Sequence, residues 1–281
     1  MSDLLDPLLT ATAQAPGPSL APATLRVLGC SGSIARDCRT TAFLLDDDVL
    51  IDAGSGVGDL TLDELLRVDD ILLSHAHLDH VLGLPLLADS VMRRRQGRGP
   101  IRVHALAETL QVLRTHLFND QLWPDFTRLP SPQAPVIDLR PLAVGDTLTL
   151  GAQRRRLRVL PARHTVPAVG YAVLGAAGDW VYTGDTGPNP ALWDALRGLR
   201  LRQLVIEIAF PEADRAVAAD AQHHCPSTLA AELARVPQDV EVMLTHLKPG
   251  ELPTVLAELG ARLGPGRVVS VLHAGQRLNL A

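Results

Sequence analysis

The feature that most constrains this chain is the run His75-Ala76-His77-Leu78-Asp79-His80, which follows directly on an apolar segment ending at Leu73. Four groups able to bind a cation crowd together at what reads as a strand-to-helix junction. His75 and His77 are two apart, so an extended chain points both rings to one side. Asp79 and His80 lie beyond the turn and point differently. Zinc needs each ring nitrogen about 2.0–2.1 Å away, and one tetrahedral site would have trouble using all four groups. Two adjacent sites solve the geometry, and cations offset the cost of burying three histidines and an aspartate together.

Other donors are expected on separate loops past the ends of apolar strands, where an open sheet gathers its functional groups. His164 follows Pro161 and a strand over 157–160. Asp185 follows a strand over 180–183, inside Thr183-Gly184-Asp185-Thr186-Gly187. His246 ends a strand over 240–245. Glu207 closes another apolar strand, and His223-His224-Cys225-Pro226 precedes a helix. Cys225 reads as a small filler or cap. The glycine-rich segment 52–58 lacks the lysine and spacing of a nucleotide-binding P-loop, so a tight turn explains its glycines.

Short apolar strands are expected at 24–28, 41–46, 48–52, 70–74, 101–104, 147–150, 157–160, 170–174, 180–183, 203–208, 240–245 and 268–272. Helices are interleaved. Thr61 with Glu64 forms a capping box, and 107–117 has helical spacing. Asn189-Pro190 and Pro226 open two more helices, and a last one lies near 251–263. Helices covering sheet faces give a layered α/β architecture. Residues 1–22 read as a loose tail, 23–281 as a single domain and 119–135 as a loop. The arginines at 93–95 with Arg98, and those at 154–156, read as solvated loops.

The 281 residues are 47% hydrophobic and carry a net charge of -5, so no global positive field draws in nucleic acid. Cys30, Cys38 and Cys225 show no paired metal-ligand spacing, which fits a reducing compartment. With no signal-peptide pattern and no apolar run of membrane-spanning length, a cytoplasmic location away from membranes is expected.

The 75–80 motif, with His164, Asp185 and His246 in order downstream, resembles the metallo-β-lactamase fold superfamily over nearly all of 24–281. That resemblance implies a four-layer αββα sandwich. A narrower resemblance, to class II 3′,5′-cyclic nucleotide phosphodiesterases, lies in His75 to Leu84, Asp52-Ala53-Gly54-Ser55-Gly56, His164-Thr165-Val166-Pro167 and Thr245-His246-Leu247-Lys248-Pro249. Carried over by position, His75, His77 and His164 hold one divalent metal, Asp79, His80 and His246 hold a second, and Asp185 bridges them. Zinc suits this donor set, with manganese or iron as alternatives.

Asp52 is expected to orient a ligating imidazole. The catalytic set is His223, Asp185, Glu207 and Asp79. In it a metal-activated hydroxide attacks phosphorus, and an imidazole, His223 or its neighbour His224, stands by the scissile phosphate with Glu207 orienting it. Loops 85–99 and 118–135 are candidates for base contacts; Phe118, Trp123 and Phe126 could stack a purine, although aromatics at such spacings are more often local core.

The implied substrate is a small phosphodiester such as 3′,5′-cyclic AMP, hydrolysed to the 5′-monophosphate. A tRNA 3′-processing phosphodiesterase, or an ester, thioester or lactone hydrolase, shares the metal logic. Nucleic acid is not the expected partner, since no long basic insertion is present. Many enzymes with this resemblance form homodimers, which extends the same implication to this chain.

Overall fold

Alternating side chains along the strands send one set of residues into a central layer and the other set outward under helices. In the strand Ala42–Leu45, Phe43 and Leu45 join the central core while Ala42 and Leu44 join an outer one. In Leu201–Glu207, Val205 faces the centre, and Leu204 and Ile206 face out. Strands buried on both faces must be apolar almost throughout, which is why they read as unbroken runs.

The computed structural model describes residues 22–95 and 97–280. The tail expected over 1–22 lies, apart from Pro22, outside them. The first half contributes β1 (Ala23–Gly29), β2 (Ala42–Leu45), β3 (Val49–Ile51), β4 (Asp70–Leu72), β5 (Ile101–Leu106), a small ribbon of β6 (Pro130–Ser131) and β7 (Ala134–Pro135), and β8 (Ile137–Leu142). The second half contributes β9 (Thr147–Leu150), β10 (Arg155–Pro161), β11 (Val169–Leu174), β12 (Asp179–Tyr182), β13 (Leu201–Glu207), β14 (Glu241–Thr245) and β15 (Val269–Val271). The last strand, β16 (Arg277–Leu280), returns to the first sheet. The sheets run β16-β1-β2-β3-β4-β5-β8 and β15-β14-β13-β12-β11-β10-β9.

Between the sheets lies a core that includes Leu25, Phe43, Ile51, Leu157, Tyr171, Trp180 and Met243. Helices α1 (Leu62–Arg67), α2 (Leu78–Val81), α3 (Gly83–Val91) and α4 (Ala107–Val112) belong to the first half, and the outer core on that side includes Leu84, Leu87 and Leu110. In the second half come α5 (Pro190–Leu196), α6 (Arg215–Asp220), α7 (Pro226–Leu233) and α8 (Leu252–Gly260); Leu192, Leu229 and Val255 pack on that sheet's outer face. The result is the four-layer αββα sandwich. The Thr61–Glu64 capping box forms as expected.

Several expectations fail for physical reasons. β8 and β16 escape a reading by apolar runs because both are edge strands. Pro141 interrupts one, and only alternate residues are buried in the other. Arg95 is not in a solvated loop: its guanidinium is buried, donates to the carbonyls of Leu66, Val68 and Gly99, and pairs with Asp69. Arg155 is likewise buried against Asp46. Phe118 and Phe126 pack edge to face in the outer core, with Trp123 against them, so they are not placed to stack a base.

Candidate metal centre

Apart from His223 and His224, which lie between two helices, the chemically loaded residues singled out above sit at or just past the C-terminal end of a strand, so the sandwich gathers them along one edge. Asp52 follows β3, the 75–80 run follows β4, His164 follows β10 and Asp185 follows β12; Glu207 ends β13 and His246 follows β14. Two of these turns hold non-glycine residues in the left-handed region, Asp52 at φ 57° and His246 at φ 65°. Such conformations are costly and persist where surrounding contacts hold them. Gly184, at φ 66°, could not carry a side chain, because a Cβ would lie 2.5 Å from the Val169 carbonyl oxygen.

The donors form two adjoining groups, His75, His77 and His164 in one, and Asp79, His80, Asp185 and His246 in the other; a third set, His164, Asp185 and His223, overlaps both. His164 Nε2 lies 3.0 Å from His77 Nδ1. Asp185 Oδ2 lies 3.2 Å from both His80 Nε2 and His246 Nε2, and 3.9 Å from His75 Nε2. Asp79 Oδ2 is 3.6 Å from His80 Nε2 and 3.9 Å from His246 Nε2. Donors bound at zinc distances stand ~3.3 Å apart around a tetrahedron, so these separations fit shared cations.

Unpaired atoms give an independent test. His75 Nε2, His80 Nε2 and Asp185 Oδ1 are buried and without a hydrogen-bond partner among the described residues. Such atoms are expensive to bury unless a cation takes their lone pairs. The set therefore fits a dinuclear divalent centre, and its mixture of imidazole and carboxylate suits zinc.

Hydrogen bonds behind the donors aim those lone pairs. Asp52 is fully buried and accepts from Ser74 N at 2.7 Å, Ser74 Oγ at 2.8 Å, His80 Nδ1 at 2.8 Å and Tyr182 Oη at 3.0 Å. A carboxylate only accepts, so His80 carries its hydrogen on Nδ1 and leaves Nε2 free. Ser74 has given its hydrogen to Asp52, so His75 Nδ1, 3.0 Å away, donates to Ser74 Oγ and again leaves Nε2 free. His164 Nδ1 donates to the Gln222 carbonyl at 3.3 Å. These contacts fix ring orientation as well as tautomer.

Electrostatics divide the imidazoles. Burial pushes His75 well below its usual range and brings His164 and His246 down to about 4. Neutral rings are the form a cation requires. For His80 burial pulls the same way, but the Asp185 and Asp52 carboxylates outweigh it and raise the pKa well above normal, so a cation bound at Nε2 would take the place of a proton there. Asp185 is held well below the usual carboxylate range, the His246 and His80 rings overcoming its burial.

At the rim, His223 Nδ1 donates to Glu207 Oε1 at 2.9 Å, and its ring stacks on His246 at 5.2 Å. Burial raises Glu207 to about 7, and Glu207 in turn lifts His223 against the effect of burial. His223 lines the cleft. His224 is buried beside Thr228, where burial brings it down to about 3. Gln222 adopts φ 53°, a conformation glycine reaches without cost.

The cleft, a cavity of about 450 Å³, is walled by Gly32, Ile34, Leu78, Leu82, His223 and Lys248. Among the described residues, none of segments 85–99 and 118–135 lines it. Ser74 and Tyr182 acquire their importance only in three dimensions. Ser74 stood beside the 75–80 motif, and Lys248 lay inside the run Thr245 to Pro249.

The sequence pattern of the beta-lactamase superfamily domain matches residues 48–247. This chain belongs to the beta-lactamase superfamily. It is 26% identical to a protein of Yersinia pestis named as a probable 3′,5′-cyclic-nucleotide phosphodiesterase, over 65% of this chain and 57% of that protein. The match therefore spans a little over half of that relative. It is 30% identical to a ribonuclease Z of Bradyrhizobium, over 86% of this chain and 96% of the relative. The unliganded yeast PDE1 superposes with a TM-score of 0.77, covering 92% of this chain and 99% of that one, and at 18% identity this is a likeness of fold.

The ribonuclease Z match overturns the expectation that nucleic acid is not a partner. A net charge of -5 describes the whole surface and does not prevent a local track for a phosphate backbone. Among the described residues, no helix is long and apolar enough to cross a membrane.

Proposed function

We propose that this metal-dependent hydrolase is an RNA phosphodiesterase of the 3′-processing kind, with 23–281 as one catalytic unit in the cytoplasm. The observation that carries phosphoryl chemistry is the His223–Glu207 pair beside both donor groups. A hydrolase of carboxylic esters would need only the cations, whereas an extra protonated imidazole serves the charge gathering on phosphoryl oxygens. RNA is favoured over smaller phosphodiesters by the ribonuclease Z relative, matched over 96% of its length. Three free cysteines agree with a reducing compartment.

In this reading His75, His77 and His164 would hold one cation and Asp79, His80 and His246 the other, with Asp185 shared between the two groups. When bound, the two divalent cations, zinc first with manganese or iron as alternatives, lower the pKa of water and polarise the phosphoryl group. His223 donates a hydrogen bond to a phosphoryl oxygen and then its proton to the departing 3′ oxygen. Glu207 keeps that ring protonated and in place. Asp52, through Ser74 and His80, keeps the ligating nitrogens aimed inward.

A second reading, hydrolysis of 3′,5′-cyclic nucleotides, is favoured by the Yersinia relative and the yeast fold likeness. Zinc- or manganese-loaded protein incubated with a tRNA precursor bearing a 3′ trailer, and separately with 3′,5′-cyclic AMP, tests both. Trailer release that is lost in Asp185→Ala is expected. Formation of 5′-AMP with no RNA cleavage would transfer the assignment to the second reading.

A further inference from the structure

The chain contains a single lysine: of its 26 basic residues, 25 are arginine and one is Lys248. Many of the arginines are absorbed by the scaffold. Arg26, Arg95, Arg102 and Arg155 pair with Glu64, Asp69, Asp70 and Asp46, and Arg200 and Arg267 donate to backbone carbonyls. Lys248 is placed differently. It lines the catalytic cleft with Asp185, His223 and His246, two positions past the ligand His246. Among the described residues it has no carboxylate within ion-pair distance. Its ammonium lies over the Phe210 ring, 5.1 Å from the centroid, and that ring in turn packs against His223 at 5.7 Å.

A half-buried, unneutralised ammonium at the mouth of a catalytic cleft is arranged to meet an anion. Phe210 limits where the flexible stem can go, so the charge is in position before a ligand arrives. Lysine offers a compact charge with rotatable donors, suited to a phosphate oxygen arriving over a range of angles, whereas arginine's planar fork needs matched geometry. The scissile phosphate already has the donor groups and His223 to engage it. The cleft also presents exposed Ile34 (68%) and Leu78 (61%), an apolar surface that fits a base or sugar rather than a phosphate.

We infer that Lys248 binds a phosphate flanking the scissile one, so that the cleft favours phosphodiesters carrying a second phosphate within reach, as an RNA strand does and a cyclic mononucleotide does not. This rests on the phosphodiesterase reading and assigns a specificity-determining residue to it.

The test compares a short oligoribonucleotide with bis(p-nitrophenyl) phosphate, which has one phosphate, on zinc-loaded wild type, Lys248→Gln and Lys248→Arg. Lys248→Gln is expected to raise KM for the oligoribonucleotide about tenfold, the scale of one charge-assisted contact. It should leave kcat unchanged, and alter turnover of bis(p-nitrophenyl) phosphate less than about twofold. Lys248→Arg, which keeps the charge but changes the donor geometry, should recover part of the loss. Anisotropy of the labelled oligoribonucleotide on chelator-treated protein supplies a readout without turnover: the slope of log affinity against log salt should fall by about one in Lys248→Gln.

Equal losses on both substrates, or an unchanged KM and salt slope for the oligoribonucleotide, would overturn the assignment while leaving the phosphodiesterase intact. If wild type turns over neither substrate, the phosphodiesterase reading fails and this inference falls with it.

Discussion

Asp52 Oδ2 lies 2.8 Å from His80 Nδ1, with both side chains wholly inaccessible to solvent. The carboxylate therefore decides which nitrogen of His80 keeps its hydrogen, and through Ser74 it does the same for His75. Partners of this kind typically contribute 10- to 100-fold in metal affinity. Asp52→Ala should weaken zinc binding by about that factor, read from competition with a chromophoric chelator. Circular dichroism on the same sample checks the fold, because the substitution leaves Ser74 N, Ser74 Oγ, His80 Nδ1 and Tyr182 Oη without their shared acceptor. Unchanged zinc affinity in a folded variant would mean that the His80 ring is oriented by packing alone.

Asp185 is the member of the second donor group that also approaches the first, through His75. Asp185→Ala should lower zinc content from two ions per chain to one or fewer and reduce hydrolysis more than about 1000-fold. Metal analysis and turnover are measured on the same sample. Removing zinc from wild type with a chelator should lower Tm by about 5–10 °C, because binding to the native state alone stabilises by mass action. Full zinc content in Asp185→Ala would assign this carboxylate to a role other than bridging.

The candidate donors stood out because they follow apolar strands and four of them fall in one short run; two sites were expected because His75 and His77 point differently from Asp79 and His80, and the division of donors between them came from the family resemblance. Orientation was not legible. Ser74 and Tyr182 are ordinary polar residues in or beside buried strands, and their part in the Asp52 network depends on bringing β3, β4 and β12 together. Arg95 and Arg155 misled because a basic run looks solvated until buried carbonyls and carboxylates around it are known. For Phe118, Trp123 and Phe126 local core was the commoner reading of such spacings, and the structure takes it, burying two of them under the first sheet. The second histidine of the 223–224 pair was separable only once the first was seen to face the cleft.

The Glu207–His223 pair should appear in the pH profile. Burial raises Glu207 to about 7, and its carboxylate raises His223. If His223 supplies a proton to the leaving oxygen, activity falls on the alkaline side as that ring loses its proton. Glu207→Gln removes the charge that stabilises the imidazolium, so His223 should titrate lower and the alkaline limb of kcat should move about one unit toward acid. The effect should be largest for leaving groups of high pKa and small for p-nitrophenolate, which departs without help. A limb that stays in place, with only an overall drop in rate, would give Glu207 a purely positional role.

Away from the cleft, Asp70 anchors the other end of the first sheet. Its carboxylate accepts from Arg102 Nε at 2.7 Å and Nη2 at 2.5 Å, and from His104 Nε2 at 2.9 Å. Burial alone would raise its pKa; the hydrogen bonds from His104 and Arg102 outweigh it and bring the group down to about 2. A depressed carboxylate stabilises the fold above its unfolded pKa near 3.8, and that contribution drains away as pH falls toward 2. The shift is worth roughly 1–2 kcal/mol once screening at half-exposed Arg102 is allowed for. Asp70→Asn should therefore lower the urea midpoint clearly at pH 7, and the gap to wild type should narrow between pH 4 and pH 2.5. Comparing chelator-treated proteins keeps metal loss out of the measurement. A gap of constant size down to pH 2.5 would show that Asp70 acts through shape and neutral hydrogen bonding rather than through its charge.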